Sequence, residues 1–185
     1  TMTGSFNGPA GSTLQLGLLG VSGTTPYNFS NSSSIAIGHV RFFSTANVDG
    51  VYNVSGSTTV SGTANFSPAA TVLSLGESLI VSGGTANFNC DEPIGVTNFT
   101  LSGGTANFNT RQPVSVGQFD QSGGVLSGAD EVRATGPSTW TGGTMRGAGR
   151  TVFEGNVSIS GGIDLRDSRV VRSLQTASYG QNTIL

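Results

Sequence analysis

Apolar and polar residues alternate along much of this chain, in short segments separated by glycine-rich corners. Pairs such as Leu79 and Val81, or Phe99 and Leu101, are apolar at every second position. A period of two places one face of a β-strand against a core. No window carries apolar residues at the helical spacing i, i+3, i+4, i+7, and the many Gly and β-branched residues disfavour a helix. The pattern therefore predicts an all-β structure of short strands.

The alternating segments recur at a nearly constant distance. Thr-Ala-Asn-Phe occurs at 63–66, 85–88 and 105–108, preceded each time by Ser-Gly or Ser-Gly-Gly. This marker continues along the chain, and six copies follow one another every 19 to 21 residues: Ser61-Gly62, Ser82-Gly83-Gly84, Ser102-Gly103-Gly104, Ser122-Gly123-Gly124, Thr141-Gly142-Gly143 and Ser160-Gly161-Gly162. We expect the glycines to let the backbone turn a corner at positive φ between two strands.

A fixed period with two or three short strands in it is typical of a solenoid, in which each coil stacks on the next at roughly 4.8 Å. A sandwich or a hairpin barrel needs no identical sequence at each period. We therefore predict a parallel β-helix (β-solenoid) with coils of about 19–21 residues, right-handed because parallel crossovers usually are. Equivalent residues should form ladders, with Phe88 on Phe108 and Leu101 beneath the coils that carry Phe119 and Trp140.

The repeat also suggests how the chain is organised. Residues 1–40 match the repeat poorly, so we expect an N-terminal cap or adapter region there, and residues 41–185 form one continuous domain of coils. The opening Thr1-Met2-Thr3 lacks the features of a signal peptide, and no run of apolar residues is long enough to span a membrane. We interpret both ends as boundaries within a longer protein.

Composition narrows the functional classes. The chain of 185 residues has 29 Gly, eight basic residues that are all Arg, and a net charge of −2. A surface without Lys and with few charges is a poor match for nucleic-acid phosphates. Cys90 and His39 are the only residues of their types, so the chain offers neither an internal disulfide nor a Cys/His metal site. We expect no nucleic-acid partner, no metal and no cofactor.

The stretch from Phe42 to Ile159 resembles the Gly/Thr/Asn-rich repeat regions of very large bacterial surface proteins. These are adhesins of the filamentous-haemagglutinin type and autotransporter-like adhesins. The resemblance rests on Tyr52–Gly56, the Ser-Gly-Thr-Ala-Asn-Phe copies, Trp140–Met145, Gly147–Gly149 and Thr151-Val152. It implies a non-enzymatic, extracellular or cell-surface module, structural or adhesive, with cell-surface glycans or other proteins and the adjoining domains of the parent chain as partners. It brings no catalytic motif.

Acidic residues are the main candidates for chemistry. The pairs Asp91-Glu92 and Asp130-Glu131, with Asp120 nearby, could form a Ca²⁺ site or a lyase-like carboxylate cluster. Counting nine residues from each marker, however, places five charged residues in one column, which alternate in sign over the first four: Asp91, Arg111, Glu131, Arg150 and Arg169. That column favours a solvated charge ladder. We therefore predict no enzyme and no catalytic, cofactor-binding or metal residues. The alternative is a carbohydrate-active β-helix, either a polysaccharide-binding module or a lyase-like one.

The remaining candidates favour structural roles. Alternation turns His39 away from the side that Val40 faces, and nothing resembling a nucleophile motif is near it. Cys90 follows a repeat copy at a corner and is expected to be a buried, inert thiol. Trp140 falls in a core column. A column of threonines could match ice, but Val125 and Ile163 interrupt Thr85, Thr105 and Thr144, so we do not expect a regular lattice there.

Overall fold

The computed structural model describes residues 1–18 and 25–180, and the backbone of 182–184. These parts of the chain contain strands and turns but no helix, and therefore no helix that could cross a membrane. The strands are β1 (Met2–Asn7), β2 (Thr13–Leu16), β3 (Tyr27–Phe42), β4 (Thr45–Val48), β5 (Val51–Val60), β6 (Thr63–Phe66), β7 (Thr71–Leu75), β8 (Ser78–Phe88), β9 (Gly95–Phe108), β10 (Val114–Gln121), β11 (Val125–Gly128), β12 (Glu131–Ala134), β13 (Ser138–Met145), β14 (Arg150–Phe153), β15 (Val157–Leu165), β16 (Val170–Ser173), β17 (Ala177–Tyr179) and β18 (Asn182–Ile184).

The strands stack in parallel as a β-solenoid of about eight turns, which confirms the predicted fold. Each coil contributes three short stretches of strand, one to each of three ranks that run along the axis. One rank contains β4, β6, β11 and the C-terminal halves of β8 and β9. Among the described strands only β18 pairs in antiparallel fashion, with β17. The right-handed sense of the coil stays a prediction.

Aromatic ladders fill the interior between the three ranks. The ring of Phe88 stacks between Phe66 and Phe108, with centroids 5.0 Å apart on both sides. Phe99 and Phe119 form a second stack at 4.9 Å. The predicted contact of Phe88 with Phe108 is therefore confirmed. Because apolar side chains of the same kind recur at every coil, each one buries its neighbours on the coils above and below.

Backbone pairing confirms the predicted columns over most of the chain. Leu101 pairs with Val81 on one side and with Gln121 on the other, and Gln121 pairs in turn with Trp140. The column of residues that follows the glycine marker, from Thr85 to Ile163, differs from the prediction at its last member. Ile163 pairs with Gly143, because the register shifts between Trp140 and Gly142. The asparagines that stack on one another lie 18 to 22 residues apart, a slightly wider range than 19–21.

The glycine pairs form the predicted corners. Gly84, Gly104 and Gly124 have φ of 55°, 66° and 64°. A Cβ at Gly104 would come within 2.4 Å of the carbonyl group of Gly83 on the preceding coil. The corner therefore needs glycine twice over, for its backbone conformation and for the close stacking of coils.

The N-terminal strands belong to the same stack. β1 and β2 both pair in parallel with β3, and the expected boundary at residue 40 falls inside β3. The described part of residues 1–40 thus contributes parallel strands of the solenoid. A role of this region as a cap or adapter stays a prediction.

Candidate functional site

A groove runs along one corner of the solenoid, where the chain leaves the Thr-Ala-Asn-Phe strands. We call it the corner groove. It has a volume of about 740 Å³ and is lined by residues of four successive coils: Pro68, Asn89, Asn109, Arg111, Gln112, Pro113, Ala129, Asp130 and Glu131. At about 4.8 Å per coil it extends roughly 15 Å along the axis. A groove of this length suits an extended chain better than a compact metabolite.

The Asp130 carboxylate stabilises the corner of the solenoid and is not free to bind a ligand in the groove. Its side chain is 7% exposed and accepts hydrogen bonds from the backbone N–H and the hydroxyl of Thr110 and from the backbone N–H of Arg111. Arg111 has a φ of 62°, which is uncommon for a residue with a Cβ. The buried carboxylate holds this turn of the preceding coil in place, since buried backbone donors need partners.

Glu131 is also engaged within the protein. Its carboxylate accepts from Nε of Arg150 on the next coil and from Nε of Arg133, and its side chain is 11% exposed. Arg133 in turn donates to Glu154 at 2.7 Å. The hydrogen bond with Glu154, and then the charge of Glu131, raise the pKa of Arg133 further. Both contacts use the carboxylate oxygens of Glu131, so this side chain is occupied within the protein and does not point freely into the groove.

Arg111 is the exposed charge of the groove. Its guanidinium lies 3.0 Å from a carboxylate oxygen of Asp91, and the two side chains are 81% and 59% exposed. Such a pair contributes about 0–1 kcal/mol. Arg111 and Glu131 line the same groove, as the predicted column requires, but Glu131 pairs with Arg150 instead of Arg111. The expected ladder therefore consists of separate pairs and is not continuous.

Arg169 contradicts the predicted ladder outright. It is 4% exposed and donates to the carbonyl oxygens of Arg150 and Gly128 and, at 2.9 Å, to the hydroxyl of Thr151. Burial lowers its pKa to about 10. The preceding turn, with Asp167 at a φ of 57°, breaks the regular register. The side chain is therefore directed inward across two coils and not into solvent.

Asp120, a further candidate acid, lies apart from the groove. It sits in β10, where it accepts from the hydroxyl of Thr139 at 2.7 Å and from Gln118 at 2.8 Å. In the described parts of the chain, no three His, Cys, Asp or Glu side chains come close enough to hold a metal ion. The acidic residues singled out in the sequence are thus distributed over separate contacts.

The single histidine and the single cysteine are placed as predicted. Val40 is buried, and His39 lies half-buried beside it with Nδ1 at 2.8 Å from the hydroxyl of Ser57. No described carboxylate is hydrogen-bonded to the imidazole, so this pair lacks the third member of a hydrolytic triad. Cys90 is fully buried, and its burial, reinforced by Glu92, raises the pKa of the thiol to about 11. A thiol with this pKa is unreactive at neutral pH.

The groove as a whole was not predicted from the sequence. Its exposed polar contributors besides Arg111 are Asn89, Asn109 and Gln112. One available signal was the Phe-Asn dipeptide that closes two successive repeat copies, because equal offsets from the marker place both asparagines at the same corner. Amide and guanidinium groups in an open groove can donate to and accept from hydroxyl-rich or carbonyl-rich ligands.

No protein-family model, no curated protein and no solved structure matches this chain.

Proposed function

We propose that this chain is a non-enzymatic structural and adhesive module of a large extracellular or cell-surface protein, and that the corner groove is its binding surface. The observation that carries the proposal is the groove itself, an open groove over four coils of the stack whose lining combines apolar groups with exposed polar side chains. The resemblance to repeat regions of bacterial adhesins supports the same function.

The structural half of the proposal follows from the stacking. About eight turns at roughly 4.8 Å each make a rod of roughly 40 Å. Each coil contacts its neighbours through backbone pairing on three ranks and through the stacked Phe66, Phe88 and Phe108. A rod of this kind holds adjoining domains at a fixed distance and presents a side surface without changing shape.

The adhesive half follows from the chemistry of the groove. Arg111 and Gln112 are exposed, whereas Asp130 and Glu131 are occupied by contacts within the protein. The exposed groups are thus amides and a guanidinium that shares one N–H with Asp91, and these groups bind hydroxyl and carbonyl groups without performing proton transfer. Cell-surface glycans, or extended segments of other proteins, are the proposed partners.

The second candidate is a polysaccharide-binding module, and the shape of the groove favours it over a lyase-like activity. A linear glycan fits a channel that follows the solenoid axis over four coils. Hydrolysis requires two carboxyl groups that are free to exchange protons, and a lyase-like activity requires several carboxylates that converge beside a basic side chain. Asp130 accepts three hydrogen bonds and Glu131 is paired with two arginines, so this groove supports binding without cleavage.

An adhesion assay tests the proposal. Beads carrying the chain should adhere to host cells and to a glycan array, and Arg111→Ala should reduce adhesion several-fold because it removes the exposed donor of the groove. Arg172→Ala is the matched control, since Arg172 is an exposed arginine on β16, outside the groove. Equal adhesion of both variants, or adhesion no stronger than that of uncoated beads, would contradict the proposal.

A further inference from the structure

A second surface lies on the rank that contains the repeat copies. There the inward positions are Ala and Phe or Val, and the outward positions are Thr and Asn. We call the outward set the Thr/Asn face: Thr45, Thr63, Thr85, Thr105, Asn47, Asn65, Asn87 and Asn107. Backbone pairing aligns all four threonines with one another, and all four asparagines likewise. The face is therefore a two-column array that repeats without interruption over four coils.

The structure changes one of the two reasons for expecting an irregular array and lengthens the regular part of the column. The threonine column extends toward the N-terminus, through Thr63 and Thr45. Ile163 does not belong to the column, because it pairs with Gly143. Val125 pairs with Thr105 and continues the column with a side chain of the same branched shape.

Hydrogen bonds hold the asparagine column rigid. The side-chain Nδ2 of each asparagine donates to Oδ1 of the asparagine on the preceding coil. The distances are 2.8 Å from Asn65 to Asn47, 2.7 Å from Asn87 to Asn65 and 2.7 Å from Asn107 to Asn87. Asn47 continues the ladder to Asn28 at 2.6 Å. The threonines are β-branched and therefore stiff at χ1. Little side-chain entropy remains to be lost when this face meets a solid surface.

The face leaves hydrogen-bonding groups for solvent. The hydroxyls of its four threonines make no side-chain hydrogen bond with any described residue, and each asparagine amide keeps one N–H outside the ladder. Adjacent coils place equivalent groups about 4.8 Å apart, and the two columns lie about 6.6 Å apart along each strand. Water molecules bound to these groups would repeat at the same two spacings.

We propose that the Thr/Asn face binds ice. Both of its repeat spacings are comparable to those between oxygen atoms on a prism face of hexagonal ice, and hydroxyl and amide groups can occupy positions in that hydrogen-bonded network. The absence of charge agrees with this occupant, because all eight side chains are neutral and a crystal of neutral water offers no partner for a charge. Crystalline polysaccharide is a poorer match, since no aromatic side chain faces outward from these eight positions.

Partition into growing ice tests the proposal with the full chain and three variants. The fluorescently labelled protein is expected to be incorporated into a slowly grown ice hemisphere and to produce thermal hysteresis. Thr85→Lys places a charge at the centre of the face and should reduce incorporation by about tenfold or more. Thr85→Val keeps the branched shape and should remain within about twofold, since only one hydroxyl is lost. Thr97→Lys is the matched control on an exposed position of β9 outside the face.

Circular dichroism and melting temperature establish that each variant folds. If Thr85→Lys does not fold, Thr85→Tyr supplies an uncharged but bulky interruption at the same site. Exclusion of the wild-type chain from ice overturns the proposal. It is overturned equally if Thr85→Lys and Thr97→Lys reduce incorporation to the same extent, or if the chain binds crystalline cellulose or chitin but not ice.

Discussion

Truncation of Phe108 should destabilise the solenoid strongly, because its buried ring makes two aromatic contacts. It is 1% exposed, stacks on Phe88 at 5.0 Å and meets the edge of Phe99 at 5.8 Å. Removing a buried Phe side chain costs about 3–5 kcal/mol. Each aromatic pair contributes about 0.5–1.5 kcal/mol beyond area burial, so we expect Phe108→Ala to lie in the upper half of that range. This is a large fraction of the roughly 5–15 kcal/mol that stabilises an ordinary domain.

Urea unfolding, followed by circular dichroism and by tryptophan fluorescence, measures the effect. Coincidence of the two probes shows that the stack unfolds as one unit and that a single free energy of unfolding applies. Phe108→Leu is the control, since it keeps most of the buried volume but loses both aromatic contacts; it should cost about 1–3 kcal/mol, less than Phe108→Ala. A loss below about 1 kcal/mol for Phe108→Ala, or equal losses for both variants, would refute the stacking of the three rings.

Three further predictions concern polar groups. Asp130→Ala should lower the free energy of unfolding by about 2–3 kcal/mol, because it leaves buried donors of the Thr110 turn unpaired. Asp91→Ala is the control and should lower it by only about 0–1 kcal/mol. Equal losses in urea unfolding would contradict the different roles of these two carboxylates. Asn87→Ala breaks two hydrogen bonds of the asparagine ladder and should lower the free energy of unfolding by about 1–3 kcal/mol. A loss near zero would show that the ladder does not stabilise the fold. Burial raises the pKa of Cys90 from 9.0 to about 11. On raising the pH, the unfolded state therefore loses the thiol proton before the folded state does, and the free energy of unfolding should fall between these two pH values. The dependence of this free energy on pH must be weaker in Cys90→Ala.

The repeat made most of the fold predictable. Equal spacing of the Ser-Gly-Gly markers determines which residues stack, so the pairing of Thr85 with Thr105 and of Phe88 with Phe108 follows from the spacing alone. The markers also located the corners, because the second glycine of a pair adopts a positive φ at Gly84 and Gly104.

The side-chain contacts outside the strands could not be inferred in the same way. Counting nine residues from a marker assumes that every corner has the same shape, but the corner at Arg111 has a positive φ and the turn before Arg169 directs that side chain inward. Whether Glu131 forms an ion pair with Arg111 or with Arg150 depends on differences of a few ångströms between side-chain positions. The corner groove escaped prediction because it is formed by loops of four coils and not by one motif.

The central claim, a module that binds without catalysis, is tested most directly by incubating the chain with linear polysaccharides, uronate polymers included, while binding and bond cleavage are measured in parallel. Affinity electrophoresis reports retention, and assays for new reducing ends and for unsaturated uronate products report cleavage. We predict retention that Arg111→Ala weakens, with no release of either product. Turnover of any of these polymers, abolished by Asp130→Asn or Glu131→Gln, would contradict the account and assign the groove to an enzyme.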